Sequence, residues 1–72
     1  MTEQVFLTKL QEDVLDTDAD IIMDMKLDDI VEWDSLSSVS FIAMVNVATG
    51  KKLEHTAVQS AETIRDLYNL LG

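Results

Sequence analysis

Apolar residues recur at helical spacing in three stretches of this chain. In the first, Phe6, Leu7, Leu10 and Val14, joined by Val5, make one inner face. This predicts a helix from an N-cap at Thr2, with Glu3 in the dipole-favoured first turn, to about Leu15. The second and most apolar segment starts at Asp34 or Ser35 and runs to about Thr49. Gly50 then supplies a left-handed residue past the last turn, and Lys51 and Lys52 follow where cations suit the carbonyl end. In the third, Thr63-Ile64-Arg65-Asp66 has the S/T-x-x-acid form of a helix start, and Ile64, Leu67, Leu70 and Leu71 recur behind it. One further short turn is expected within 54–61. With no proline, two glycines, no repeat and no low-complexity linker, residues 1–72 read as one all-α domain. The expected fold is a small four-helix bundle of three principal helices and a short one.

Residues 16–34 form a connection long for so small a domain, and such segments are usually functional or hold short structure of their own. Ile21, Ile22, Met25, Leu27 and Ile30 predict that it is pinned to the core.

Composition narrows the function. A chain of 72 residues that is 47% hydrophobic and 26% charged has one core of limited size and little room for a deep catalytic pocket. Fourteen acids against five bases give a net charge of -9, which disfavours nucleic acid or an anionic membrane surface as partner and suits a basic protein surface. The excess is confined to residues 1–34, where eleven acids face Lys9 and Lys26. From Ser35 onward, Glu54, Glu62 and Asp66 balance Lys51, Lys52 and Arg65. Cysteine is absent, so any thiol chemistry must be brought in. The longest apolar run, Phe41 to Val45, is far short of a membrane span, and the opening Met-Thr-Glu-Gln is not a basic leader; a cytoplasmic monomer is the expectation.

Two constellations invite chemistry and fail on their spacing. Asp16-Thr17-Asp18-Ala19-Asp20 opens like a calcium loop, but Ile21 stands where the sharp-turn glycine belongs and Leu27 where the bidentate glutamate belongs. No metal site is expected. His55, the sole histidine, could be combined with Ser35 and an acid into a hydrolytic triad, yet no nucleophile elbow or oxyanion signature accompanies it.

Ser35 is the residue with the more specific reading. Serine and aspartate are both favoured N-caps, and one of the pair suffices. With Asp34 as the cap, the Ser35 hydroxyl falls in the first turn beside unsatisfied N–H groups and the positive end of the helix, a place suited to a phosphate ester.

The run Asp28-Asp29-Ile30-Val31-Glu32-Trp33-Asp34-Ser35-Leu36-Ser37 resembles the Asp-Ser-Leu prosthetic-group site of acyl carrier proteins. The order and length of helix, acidic loop, helix, short helix and final helix resemble that family over nearly the whole chain. The resemblance implies that Ser35 carries a 4'-phosphopantetheine arm, added by a phosphopantetheinyl transferase from coenzyme A with magnesium. The arm's thiol would hold acyl groups as thioesters for acyl-loading and acyl-transfer enzymes, so the protein would be a shuttle and not an enzyme. Asp34 would cap the helix and help the transferase read the site, and Leu36 would touch transferase and partners. An aminoacyl or peptidyl carrier would use the same arm; an unmodified acidic interaction module would need none.

Two departures from the family pattern shape the expectation further. Fatty-acid carriers usually place a small pair before Asp-Ser-Leu, where this chain has Glu32-Trp33, and carry glutamates along the second helix, where this chain has no acid between Ser35 and Glu54. The outward face is expected to hold Leu36, Val39, Ser40, Ala43, Asn46 and Val47, with Phe41, Ile42, Met44 and Val45 turned inward. An exposed apolar strip points to partner docking in a dedicated acyl-transfer pathway of lipid metabolism. Trp33 is read first as a hydrophobic plug where the loop enters the helix, and second as a partner contact.

Overall fold

The computed structural model describes residues 1–71. Four helices pack around one core: α1 (Glu3–Lys9), α2 (Ser35–Thr49), α3 (His55–Gln59) and α4 (Ile64–Asn69). Thr2 caps α1 by accepting from the Val5 N–H at 3.2 Å. The helix then continues to Leu15 as a π-helical segment, Leu10–Leu15.

That widening changes which residues face inward. A π turn needs one more residue than an α turn, so the residue that returns to the face of Leu10 is Leu15, buried at 4% exposure, and Val14 is only half-buried. Val5 is likewise exposed, which corrects the inner face expected for this helix. Asp16 closes the segment in the left-handed region at φ 49°, a conformation aspartate tolerates better than most residues.

The acidic connection is pinned, though not by the residues expected throughout. A turn at Met23 and Asp24, closed by Met25 N–H on the Ile22 carbonyl at 3.1 Å, brings residues 23 to 27 beside the start of α4: Leu27 N–H donates to the Glu62 carbonyl at 2.9 Å, Ile64 N–H to the Met25 carbonyl at 3.1 Å and Arg65 N–H to the Met23 carbonyl at 2.7 Å. These bonds hold Met23 and Leu27 buried and Met25 half-buried, while Ile22, before the turn, is 60% exposed. A 3-10 turn, Leu27–Asp29, then buries Leu27 and delivers Ile30 to the core.

The long second helix has the boundaries read from its end signals. Asp34 caps it and Gly50 ends it at φ 76°, the region that favours glycine. The last helix carries the full reciprocal cap, with the Thr63 hydroxyl accepting from Asp66 N–H and the Asp66 carboxylate accepting from Thr63 N–H. At the centre, Phe6 meets Phe41 edge-on at 5.9 Å and Tyr68 at 5.2 Å, and Leu10, Val45, Val58, Ile64 and Leu67 close around them without exposure.

Candidate functional site

The junction of the acidic connection with α2 holds four serines within six residues, and the fold treats them differently. Ser37 is buried; its backbone N–H and its hydroxyl both reach Asp34 Oδ1, at 2.9 and 3.1 Å, and its hydroxyl also donates to the Glu32 carbonyl. Ser38 is buried and its hydroxyl donates to the Asp34 carbonyl at 3.1 Å. Ser40 is half-buried. Ser35 is exposed, and among the described residues its hydroxyl has no hydrogen-bond partner.

The division of labour has a physical cause. Asp34 sits in extended backbone at φ -143°, from which its carboxylate turns back over the first turn. The Ser37 N–H, then the Ser37 hydroxyl, and to a smaller degree the Leu36 N–H hold its pKa below the ordinary carboxylate value. Ser35, the first helical residue, is left with its side chain pointing to water at the start of a helix of 15 residues whose first turn has no acid.

The loop side of the junction is held by Trp33. Its ring is half-buried and meets Phe41 edge-on at 6.1 Å, which couples the last loop residue before the cap to the central aromatic cluster. Trp33 thus packs as a plug where the loop enters the helix, with Phe41 as its partner. Ser37 and Ser38, which fasten the same corner from the helix side, have no part in the reading from sequence. An Asp-x-x-Ser spacing, with the serine at the third helical position, is the signal that could have marked Ser37.

Beyond Ser35 the outward face of α2 is uncharged. Leu36 is 74% exposed, Val39 56% and Val47 87%, and Ala43 is exposed between them. Ser40 and Asn46 flank the strip half-buried, not fully outward as expected, and Ile42 is only half-buried on the inner side, since neighbouring segments rise on both edges of the helix. The strip therefore comprises four apolar residues where six residues were expected.

Other candidate chemistry stays apart. His55 is exposed at the first residue of α3, and among the described residues no hydrogen bond joins it to Ser35 or to an acid. No group of three or more His, Asp or Glu side chains is placed to hold a metal ion among the described residues. Open surface grooves of about 420, 370 and 210 Å³ occur, and Ser35 lines none of them. Among the described residues no helix is long and apolar enough to cross a membrane. Compared with known proteins, the chain matches no protein-family model, no curated protein and no solved structure.

Proposed function

We propose that this protein is an acyl carrier of a dedicated biosynthetic pathway, with 4'-phosphopantetheine attached to Ser35. One observation carries the reading: of the serines that open α2, Ser35 alone is exposed with an unengaged hydroxyl, because Asp34 has taken over the capping. A residue spared from structural duty at a helix start is available for covalent attachment.

The corner suits a phosphodiester on its own physical terms. The N-terminus of a long helix favours negative charge, here that of the Asp34 carboxylate together with any group on Ser35, no further acid stands in the first turn, and solvent reaches Ser35 without passing through the core. Ser35 Oγ would carry the group, and the helix start beneath it would favour the negative phosphate. When bound, the arm supplies the thiol that a chain without cysteine lacks. Trp33 and Ser37 hold the corner rigid from either side, so the attachment point stays fixed relative to the helix that partners would read.

Intact mass spectrometry of the chain purified from its native host tests the reading. A species heavier by one phosphopantetheine, with or without an acyl load, supports it, and fragmentation should locate the addition on Ser35. A native chain found only at its sequence mass would favour the unmodified interaction module instead.

A further inference from the structure

The acidic connection folds over a small pocket of its own, apart from the helix that follows Ser35. About 210 Å³ opens between residues 17–21 and 29–32, with Ile21, Met25 and Ile30 as its apolar lining and Asp20, Asp29 and Glu32 exposed at its edge. No cation stands among the described residues that line it. Lys26, the only one within residues 16–34, is bridged through the backbone to Thr63 at the start of α4.

Both walls are fixed by hydrogen bonds. On one side the Gln11 side chain donates to the Ala19 carbonyl at 3.0 Å and the Ala19 N–H to the Thr17 hydroxyl at 3.2 Å. On the other, Trp33 N–H closes a turn on the Ile30 carbonyl at 3.1 Å, and the Ser37 hydroxyl holds the Glu32 carbonyl. The last bond ties the pocket wall to the first turn of α2, where Ser35 stands.

Size, charge and reach choose the occupant. Pockets for drug-sized ligands run to about 300–1,000 Å³, so this one takes a group of side-chain size and neither a helix nor a long acyl chain. Three carboxylates repel an anion, and among the described residues no three acids are grouped to hold a metal ion. A small apolar group that carries an ammonium meets both the lining and the edge. Glu32 and Ser35 are three residues apart, within about 11 Å of each other even along extended chain, and a phosphopantetheine arm is longer than that.

We infer that this pocket receives the cargo of the arm on Ser35, and that the cargo is a small aliphatic aminoacyl group. Its side chain lies on Ile21, Met25 and Ile30, and its ammonium faces Asp20, Asp29 and Glu32. The inference rests on the carrier reading, which leaves the cargo open.

The test is NMR of the isotopically labelled full chain, loaded at Ser35 by a broad-specificity phosphopantetheinyl transferase from coenzyme A analogues in which an amide replaces the thioester. Three cargoes of like shape are compared: valyl; isovaleryl, which lacks the amine; and isopropylmalonyl, which has a carboxylate in its place. Relative to the unloaded arm, valyl should shift the amides of Ile21, Met25, Ile30 and Val31, and its methyls should show contacts with the Ile21 and Met25 side chains. Isovaleryl should do so more weakly and isopropylmalonyl not at all. Asp20→Asn with Glu32→Gln, both at exposed positions, should reduce the valyl shifts to the isovaleryl size. Intact mass keeps the two claims apart, since a chain that takes no arm fails the carrier reading and this inference with it. In a chain that carries the arm, equal shifts from all three cargoes, cargo contacts with Phe6 or Phe41, or no shift within residues 17–32 would overturn the inference alone.

Discussion

Asp34 and Ser37 are joined twice, by the Ser37 N–H at 2.9 Å and the Ser37 hydroxyl at 3.1 Å, both donating to Asp34 Oδ1. The pair closes the first turn of α2 without help from Ser35. Ser37→Ala should therefore destabilise the fold by about 1 kcal/mol, since the Glu32 carbonyl and Asp34 Oδ1 lose the one hydroxyl proton they share. Asp34→Asn should keep the cap, because the amide oxygen can accept the same bonds, whereas Asp34→Ala should lower the melting temperature. Ser35→Ala should leave the melt unchanged. Thermal unfolding of the four variants checks all of these, and a melt lowered by Ser35→Ala as much as by Ser37→Ala would contradict the assignment.

The same carboxylate makes a prediction about acid. Asp34 and Asp66 are both held below the ordinary carboxylate pKa, Asp34 chiefly by the Ser37 N–H and Asp66 chiefly by the Glu62 N–H. A carboxylate depressed in the folded state stabilises that state above its unfolded pKa, and the contribution fades as pH falls through the folded value. Their support should thus be complete above about pH 5 and decline below about pH 4. Asp34→Asn and Asp66→Asn, alone and together, should each flatten the acid limb of a stability-against-pH curve between those values. An acid limb identical in the double variant would remove both residues from the account.

Salt should act in the opposite sense to a simple ion-pair expectation. Arg65 bridges Asp24 at 3.0 Å and Glu3 at 3.7 Å, but these contacts are exposed and readily screened. Against them stands a net charge of -9, gathered in residues 1–34. Repulsion dominates, so moderate salt should raise the melting temperature, with a Debye length of about 10 Å at 0.1 M marking where the effect sets in. Arg65→Gln should lower the melting temperature at low salt and much less at high salt. A melt that falls as salt is added would show the ion pairs to be the stronger effect.

Two core and turn substitutions calibrate the fold. Phe41→Ala removes the ring that touches both Phe6 and Trp33 and should destabilise by about 3–5 kcal/mol. A domain of 72 residues has a total stability of roughly 4–11 kcal/mol, so this variant should be marginal or unfolded at 25 °C. Gly50→Ala meets no atom within 4 Å, so only the φ of 76° opposes it, at about 1–2 kcal/mol. Denaturant melts give both values directly, and a Gly50→Ala chain as stable as the original would mean that the turn can relax away from its left-handed geometry.

Much of this was legible because the signals are local. Asp34 and Gly50 bound α2, and Thr63 with Asp66 opens α4, through bonds between residues close in sequence. What escaped the pattern depends on residues far apart. Met23 is buried and Ile22 exposed because a turn at Met23 and Asp24 is fastened to Glu62, Ile64 and Arg65 through the backbone, forty residues on. Leu15 replaces Val14 inside because the first helix widens, which apolar spacing of 3.6 residues does not foresee. At the junction, the Asp34 cap and the exposure of Ser35 and Leu36 were readable, whereas the half-burial of Ser40 and Asn46 and the fixing of Ser37 and Ser38 were not, since a serine's burial depends on the carbonyls that the preceding loop brings to it.

The central claim is that Ser35, and neither Ser37 nor Ser38, accepts the phosphopantetheine arm. Its most direct test is the intact mass of the full chain after incubation with a broad-specificity phosphopantetheinyl transferase, magnesium and coenzyme A. The carrier reading predicts a gain of one phosphopantetheine for the unaltered chain and for Ser37→Ala and Ser38→Ala, and no gain for Ser35→Ala with its helical content retained. An unaltered chain that gains no mass beside a control carrier that does, or a gain that survives Ser35→Ala, would contradict it.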